Sequence, residues 1–470
     1  MLNTYFIKPI ALRFACLVLT EGLVFGQSTL APELREKIDQ AAKKTLADTG
    51  VPSASVAVVK DGKIAYLQAY GDARLEPKTA AQPSMRYSIG SISKQFTAAA
   101  VLMLAEQGKL SLDDPVSRYV PNLTRGNEVT IRQLLSHTSG YQDYWPQDYV
   151  PPFMAQAVTA DKILDLWARR PLDFDPGTQW QYSNTNFVIA GLVIEKASGV
   201  RLLTFLSKNI FEPLGMRSVI NIDQDRLTDT DPVGYLRYAL GPPRVAPKEG
   251  KGWLFAAGEL AMPAEDLAKW DISIIEQRLM KPSSYREMET DVLLKNGLGT
   301  RYGLGIGVQN QGGHRMLEHG GEVSGFTAEN AVFPDDKAAI VVLTNQDAAD
   351  ASTALAKAIA PMLFESDAEL THARQERAQK IFEGLQRGSL DRTLFTANAN
   401  SYFTDQAIAD FAASLGPLGT PLGFAQTVHR ERGGMSFRAY HVQFPQKSLT
   451  ITERDMPDGM IEQYQVFAGN

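Results

Sequence analysis

Short apolar runs occur in pairs at two places along the chain, one early and one late. Two apolar runs, 54–59 and 64–70, stand on either side of an Asp-Gly pair. Asp-Gly between apolar runs is a strong signal for a hairpin. A second pair of runs, 326–333 and 338–343, is separated by a Pro-Asp-Asp turn. The pattern therefore predicts two β-hairpins, far apart in sequence.

Helical patterns surround these hairpins and fill the region between them. Residues 30–47 have the periodicity of an amphipathic helix, and a further helix is predicted at 349–364. Residues 92–107 form an apolar-rich helix that ends at Gly108, the expected C′ residue. The segment from 110 to 280 is rich in loops and short helices. This order predicts an α/β (α+β) domain, in which terminal helices cover an antiparallel sheet and a helical lobe borders a cleft.

The last hundred residues have their own set of predicted helices and strands. A polar stretch at 366–375 marks a domain boundary, and helical patterns cover 372–387 and 405–414. Strands are predicted at 424–431, 434–445, 447–454 and 460–467. Helices followed by a curled sheet predict a small α+β domain over 366–470, similar to the nuclear-transport-factor-2-like cone. The sequence assigns no partner to this domain.

Residues 1–26 differ from the rest of the chain. Lys8 and Arg13 precede an apolar run that ends in small residues, which is typical of a secretory signal peptide. Glu21 interrupts the run, and the alternative is a poorly cleaved amphipathic anchor. Cleavage of this signal peptide would remove Cys16, and the mature chain would be periplasmic or secreted. No other run approaches the roughly 20 apolar residues that span a bilayer, so the mature chain is expected to lack a membrane span.

Composition narrows the class of protein. The 470 residues include 47 basic and 53 acidic side chains, a net charge of −6. No basic surface for phosphates is therefore expected, and nucleic-acid binding is disfavoured. A hydrophobic content of 44% is close to that of globular proteins. The single cysteine excludes an intramolecular disulfide and a thiolate metal site.

Ser91 and Lys94 form a Ser-x-x-Lys pattern at the start of the apolar helix. Their spacing places both side chains on one helical face, within contact range. A serine hydroxyl needs a base to act as a nucleophile, and an amine serves only when burial lowers its pKa toward neutrality. The helix N-terminus favours negative charge developing there. The alternative is a capping serine with a solvent-facing lysine, but the apolar surroundings favour a buried one.

Two more short patterns follow along the chain. Tyr182-Ser-Asn184 precedes a helix predicted at 190–197, so its phenol and amide can project from a loop into a cleft. The alternative is a helix-capping Ser/Asn pair beside a packed tyrosine. His319-Gly-Gly321 lies at the end of a predicted strand, where glycines let a ligand or another strand approach the backbone. The alternative is a structural histidine at a bulge.

The three patterns, in this order and spacing, resemble the serine β-lactamase and penicillin-binding-protein superfamily. They are most similar to the branch related to class C β-lactamases, which also contains DD-carboxypeptidases, D-aminopeptidases and esterases. Further matching stretches are Leu134-Leu-Ser-His137-Thr-Ser-Gly140, Pro176-Gly-Thr-Gln-Trp-Gln-Tyr182, His319-Gly-Gly-Glu-Val-Ser-Gly-Phe326 and Ala256-Ala-Gly258. The resemblance covers about residues 30–365 and implies a β-lactamase/transpeptidase-like fold for a hydrolase domain at 27–365.

The resemblance also implies a mechanism through an acyl-enzyme. Ser91 would attack a carbonyl, while Lys94 and Tyr182 would move protons, with Tyr182 activating the deacylating water. Asn184 would bind a substrate amide and hold Lys94 in place. No metal or cofactor is needed for this chemistry.

The third pattern departs from the lysine-threonine-glycine of true β-lactamases. Backbone N–H groups of Ser91 and of Glu322, which follows Gly321, would form the oxyanion hole. His319 and Gly320 stand where a lysine and a threonine would help to hold a β-lactam carboxylate. A histidine is only fractionally charged at neutral pH. Hydrolysis of a peptide, amide or ester is therefore expected more than efficient β-lactam hydrolysis.

Other classes of function fit less well. The chain contains no Gly-x-Ser-x-Gly of α/β-hydrolases and no His-Glu-x-x-His of metallopeptidases. The remaining alternative is a non-catalytic penicillin- or cell-wall-peptide-binding protein that is acylated without turnover. A binding protein needs no base, so the presence of Lys94 beside Ser91 favours a secreted serine hydrolase.

The substrate is a small molecule or peptide whose class the motifs leave open. It could be an amide, a D-amino-acid or cell-wall peptide, a β-lactam or an ester. Pocket shape depends on loops such as 140–155, whose aromatic residues either line the cleft or pack beneath it; they include Tyr141, Tyr144 and Trp145.

Overall fold

The computed structural model describes residues 30–147, 149–364, 367–432, 435–456 and 459–469. The predicted signal peptide and Cys16 lie outside these residues. The helices up to residue 364 are α1 Pro32–Thr49, α2 Ser93–Glu106, α3 Ile131–Leu135, α4 Ala160–Ile163, α5 Asn184–Ser198, α6 Leu202–Leu206, α7 Glu212–Leu214, α8 Ala264–Ile275, α9 Pro282–Glu289 and α10 Ala351–Leu363. The strands are β1 Ser53–Lys60, β2 Lys63–Leu75, β3 Lys78–Ala80, β4 Tyr87–Ser88, β5 Ile220–Asn221, β6 Tyr235–Leu236, β7 Arg244–Val245, β8 Leu260–Met262, β9 Gly307–Gln311, β10 His314–Val323, β11 Phe326–Phe333 and β12 Ala338–Thr344.

Within the described residues, seven strands form one antiparallel sheet in the order β3-β2-β1-β12-β11-β10-β9. The central pair β1 and β12 places Val56 opposite Val342 and Ala57 opposite Val341. Val56 and Val342 belong to the core beneath α1 and α10, whereas Ala57 and Val341 belong to the core that contains α2. Since successive strand residues point to opposite faces, the central strands are buried on both. The predicted sheet, covered by helices and joined to a helical lobe, is confirmed.

The hydrophobic pattern did not predict strand β9, nor the short strand β3 at the opposite edge of the sheet. Strand β9 pairs with β10 from His314 to Glu318 only, while β10 itself continues to Val323. The β9 sequence, Gly-Val-Gln-Asn-Gln, shows no alternation of apolar and polar residues. Its pairing with β10, and not a local sequence pattern, therefore makes it a strand. His319 therefore lies inside a strand rather than at its end, on the stretch that β9 leaves uncovered.

Helix α2 forms the centre of the interface between the sheet and the helical lobe. Every residue from Ser93 to Leu104 is buried, and the helix packs against α5. A helix that is apolar around its whole circumference belongs in a protein interior. Lys94, in the first turn of α2, is consequently 0% exposed.

The C-terminal residues form a small domain with its own core. Its elements are α11 Asp367–Gln386, α12 Ala397–Tyr402, α13 Asp405–Leu415, β13 Gly423–Arg432, β14 Met435–Gln443, β15 Ser448–Asp455 and β16 Ile461–Ala468. The four strands form an antiparallel sheet in chain order. Helix α11 begins at Asp367, before the predicted start at 372, and Ala378 is among its residues that belong to this core. No helix in the described part of the chain is long and apolar enough to cross a bilayer.

The separate cores generate a prediction about truncation. The two cores of the first part contain described residues up to Phe364, and the described residues of the third core begin at Ala378. A chain that ends at residue 365 is therefore expected to fold and to melt cooperatively in a circular dichroism experiment. An insoluble or non-cooperatively melting product would show that the boundary at 365–366 is misplaced.

Candidate active site

A cavity of about 970 Å³ opens between the helical lobe and the sheet. Residues from all three sequence patterns line it, and they are Ser91, Tyr182, Asn184, His319, Gly320, Gly321 and Glu322. Lys94 lies directly behind Ser91 in the protein interior. The structure thus brings together every residue that the sequence assigned to the site.

Lys94 is held by three oxygen atoms. Its Nζ lies 2.9 Å from Ser91 Oγ, 2.8 Å from Asn184 Oδ1 and 2.8 Å from the carbonyl oxygen of Ala257. Ser91 sits in a 3₁₀ turn, Gly90–Ile92, that runs into α2 and places the two side chains one turn apart. Burial lowers the pKa of Lys94 to about 7. At neutral pH a large share of the amine is uncharged and can accept the Ser91 proton.

Tyr182 also contacts Ser91. Its hydroxyl is hydrogen-bonded to the Ser91 side chain, and Lys94 Nζ lies 4.9 Å from the centre of its ring. Burial raises the pKa of Tyr182 above its ordinary value. The phenol therefore stays protonated at neutral pH, in a position to donate or relay a proton between Ser91 and a bound substrate.

Asn184 begins helix α5, six residues before the helix start that the sequence predicted. Asp143 orients it by accepting hydrogen bonds from its backbone N at 2.9 Å and its Nδ2 at 3.2 Å. The amide oxygen of Asn184 is thereby turned toward Lys94. The negative charge of Asp143 in turn raises the pKa of Lys94, against the effect of burial.

Asp143 was not among the residues that the sequence assigned to the site. Its only signal is its position in the aromatic loop that follows Gly140. In that loop, Tyr141 packs inward and donates to the carbonyl oxygen of Thr124 at 3.0 Å. Tyr144 and Trp145 line the cavity. The loop therefore both packs and shapes the site.

His319 is a neutral imidazole in this site. Its Nδ1 donates to the carbonyl oxygen of Gly320 at 2.6 Å, so its Nε2 accepts from the Tyr302 hydroxyl at 2.8 Å. Burial and the nearby charge of Lys94 lower the pKa of His319 to about 3. The fractional positive charge expected from the sequence is therefore absent at neutral pH, and protein groups occupy both ring nitrogens.

The two glycines after His319 have different surroundings. A Cβ on Gly321 would lie 2.0 Å from the carbonyl oxygen of Ile89, whereas the nearest atom to a Cβ on Gly320 would be 3.8 Å away. Likewise, a Cβ on Gly90 would lie 2.6 Å from the backbone nitrogen of Glu322. Strand β10 and the turn that carries Ser91 thus approach to backbone contact. The oxyanion hole assigned to Ser91 and Glu322 stays a prediction that this proximity permits.

The fold and site together define a class of protein, the serine hydrolases of the Ser-x-x-Lys type. The beta-lactamase family model matches residues 38–361, more than half of the chain, and the chain belongs to this family. The resemblance inferred from the three sequence patterns is confirmed.

Known relatives share much of the chain at low identity. A penicillin-binding protein of Bacillus subtilis is 26% identical over 79% of this chain and 83% of its own. A D-aminopeptidase of Brucella anthropi is 29% identical over 63% of this chain, and the match spans only 56% of that relative. The crystal structure of a D-stereospecific amidohydrolase from Streptomyces sp. superposes with a TM-score of 0.60 at 28% identity, covering 68% of this chain and 96% of the other.

The contrast between the two glycines of β10 generates a stability prediction. Gly321→Ala is expected to lower the melting temperature by several degrees and to slow reaction at Ser91, because the added methyl group forces β10 away from Ile89. Gly320→Ala is the matched control, since its Cβ has space. Equal melting temperatures for the two variants would contradict the close approach.

The environment of Lys94 predicts how activity depends on pH. Because the amine must be neutral to accept a proton, kcat/KM is expected to rise as pH increases through about 7. Asp143→Asn removes a negative charge that raises the Lys94 pKa, so it is expected to move this midpoint to lower pH. The exposed Asp113→Asn serves as the control with no shift. A midpoint that moves to higher pH in Asp143→Asn would contradict the assignment of Lys94 as the base.

Proposed function

We propose that the chain is a secreted serine hydrolase that forms an acyl-enzyme at Ser91 with an amide or peptide substrate. The observation that carries this proposal is the 2.9 Å contact between Ser91 Oγ and Lys94 Nζ. Lys94 is fully buried, and its pKa of about 7 suits a base at neutral pH. Secretion to the periplasm or medium is part of the proposal and rests on the signal-peptide pattern of residues 1–26.

Acylation would proceed by proton transfer within the Ser91–Lys94–Tyr182 group. As Ser91 Oγ attacks the substrate carbonyl, Lys94 Nζ accepts its proton, and the new oxyanion faces the N–H groups of Ser91 and Glu322. The Tyr182 hydroxyl relays the proton to the leaving nitrogen, which departs as an amine. Tyr182 is protonated before the reaction because burial raises its pKa, as this role requires.

Deacylation would use the same groups in reverse. Water attacks the ester carbonyl on Ser91, and Tyr182 together with Lys94 removes its proton. The proton returns to Ser91 Oγ as the acid product leaves. Asn184 holds Lys94 in place throughout through its amide oxygen, 2.8 Å from Nζ.

The charges around the cavity support a substrate without a carboxylate beside the reacting carbonyl. The charged residues that line it are acidic, namely Asp143, Glu322, Asp347 and Asp350, and none of its described lining residues is a lysine or arginine. The ring nitrogens of neutral His319 are both engaged. A β-lactam carboxylate would therefore meet repulsion without a cationic partner.

A neutral or amine-bearing amide of a D-amino acid fits these charges better. An ammonium group would be attracted by the acidic lining. The names of two relatives, a D-aminopeptidase and a D-stereospecific amidohydrolase, point in the same direction. We therefore propose D-amino-acid amides or short peptides with a free amino group as the substrates, with β-lactams reacting slowly.

Covalent labelling tests the nucleophile and the substrate class together. The protein is exposed to a fluorophosphonate and, separately, to a fluorescent penicillin, and adducts are read by intact-protein mass spectrometry. Ser91→Ala is expected to form no adduct, because it removes the attacking hydroxyl, whereas the exposed Ser117→Ala is labelled like wild type. The fluorophosphonate is expected to react faster, since penicillin brings a carboxylate to an acidic cavity.

The same experiment separates the competing functions. An adduct on Ser91→Ala would disprove Ser91 as the nucleophile. A penicillin adduct that forms rapidly and never hydrolyses would favour the non-catalytic binding protein. Release of ammonia from a D-amino-acid amide by wild type, and not by Ser91→Ala, would support the proposed hydrolase.

A further inference from the structure

His137 contacts the site from behind and has no role in the chemistry described above. It follows helix α3, is 0% exposed, and has a φ of 58°, in the left-handed region. That backbone conformation is unfavourable for a residue with a Cβ, so surrounding contacts must stabilise it. Two of those contacts are hydrogen bonds from one short segment, 181–183, and Asn186 Nδ2 also lies 3.4 Å from His137 Nδ1.

His137 holds the backbone on both sides of Tyr182. Its carbonyl oxygen accepts from the backbone N of Gln181 at 3.0 Å. Its ring Nδ1 accepts from the backbone N of Ser183 at 3.1 Å. Residues 181–183 belong to no helix or strand, so these two hydrogen bonds replace the regular structure that would otherwise fix Tyr182.

The imidazole ring also packs against the Tyr182 side chain. The two ring centres lie 4.3 Å apart, nearer than those of His137 and Tyr302 at 5.0 Å. Burial and the charge of Lys94 hold the pKa of His137 well below its ordinary value. Because Nδ1 accepts, the single ring proton lies on Nε2, which has no hydrogen-bond partner among the described residues.

We propose that His137 is a positioning residue that fixes the Tyr182 hydroxyl against Ser91, acting through the N–H groups of Gln181 and Ser183. The inference rests on the proposed function, in which Tyr182 moves a proton. Ring Nδ1 accepts the hydrogen bond from the backbone N of Ser183. The left-handed backbone allows the carbonyl oxygen of the same residue to accept from the backbone N of Gln181. Without these two hydrogen bonds, the Tyr182 phenol would move away from Ser91, while Ser91 and Lys94 would keep their own contact.

Two substitutions separate the acceptor from the backbone. His137→Gly keeps the left-handed backbone and the carbonyl oxygen but removes the ring, and turnover of an activated ester is expected to fall by about 10²-fold with little change in KM. His137→Asn tolerates the same backbone and places an acceptor near the Nδ1 position. It is expected to recover turnover to within about tenfold of wild type. Equal losses in the two variants would overturn the acceptor role.

A double-mutant cycle with Tyr182→Phe tests whether His137 acts through the Tyr182 hydroxyl. In that background the hydroxyl is absent, so adding His137→Gly is expected to lower turnover by less than about threefold. A loss as large as in the wild-type background would overturn the proposal, because it would show a role independent of Tyr182.

Controls separate this proposal from simple destabilisation and from the proposed function itself. Leu134→Ala removes a buried side chain from the preceding helix, and it is expected to lower the melting temperature while keeping kcat below the transition. If His137→Gly behaved like Leu134→Ala, the positioning role would be overturned. In that case Ser91 would still be labelled by the fluorophosphonate, and the proposed function would stand; loss of Ser91 labelling in the wild type would instead remove the proposed function.

Discussion

An uncharged amine in a protein interior is the condition on which the rest of this site depends. Desolvation lowers the pKa of Lys94 to about 7, and the helix that carries it is buried along nearly its whole length. The amine is nevertheless hydrogen-bonded, because Ser91, Asn184 and Ala257 each present an oxygen within 2.9 Å. More negative charge nearby would fix the proton on Lys94. Asp143 is separated from Lys94 by Asn184, and its charge raises the Lys94 pKa less than burial lowers it, so the proton stays transferable.

Packing of the sheet against α2 determines where that amine can act. Strand β10 and the turn before α2 touch through backbone atoms at Gly321 and Gly90, so the edge of β10 beyond its pairing with β9 faces Ser91. Strand β9 pairs with β10 only as far as Glu318, so the part of β10 that follows Glu318 is open to the cavity. Catalytic geometry here follows from the packing of the core as much as from loops.

Sequence predicted the parts of the fold and site that depend on local patterns. The hairpins, the apolar helix and the contact between Ser91 and Lys94 all follow from residues close together in the chain. The environment of His319 does not, because its neutrality comes from Tyr302 and burial, which no local pattern encodes. Asp143 was missed for the same reason, since its role arises only when its loop meets Asn184. The C-terminal boundary and the leader remain predictions.

Three basic side chains lie close together in this site, and burial together with their mutual repulsion limits how many protons they hold. Burial lowers the pKa of both His137 and His319, the charge of Lys94 lowers both further, and His319 adds to the effect on His137. With Asp143 as the carboxylate that acts on Lys94, a second positive charge would be buried without a partner. The lysine has the highest intrinsic pKa of the three, so it alone takes up a proton near neutrality. The two histidines are therefore neutral beside the lysine base, and they serve as hydrogen-bonding and packing groups around Tyr182.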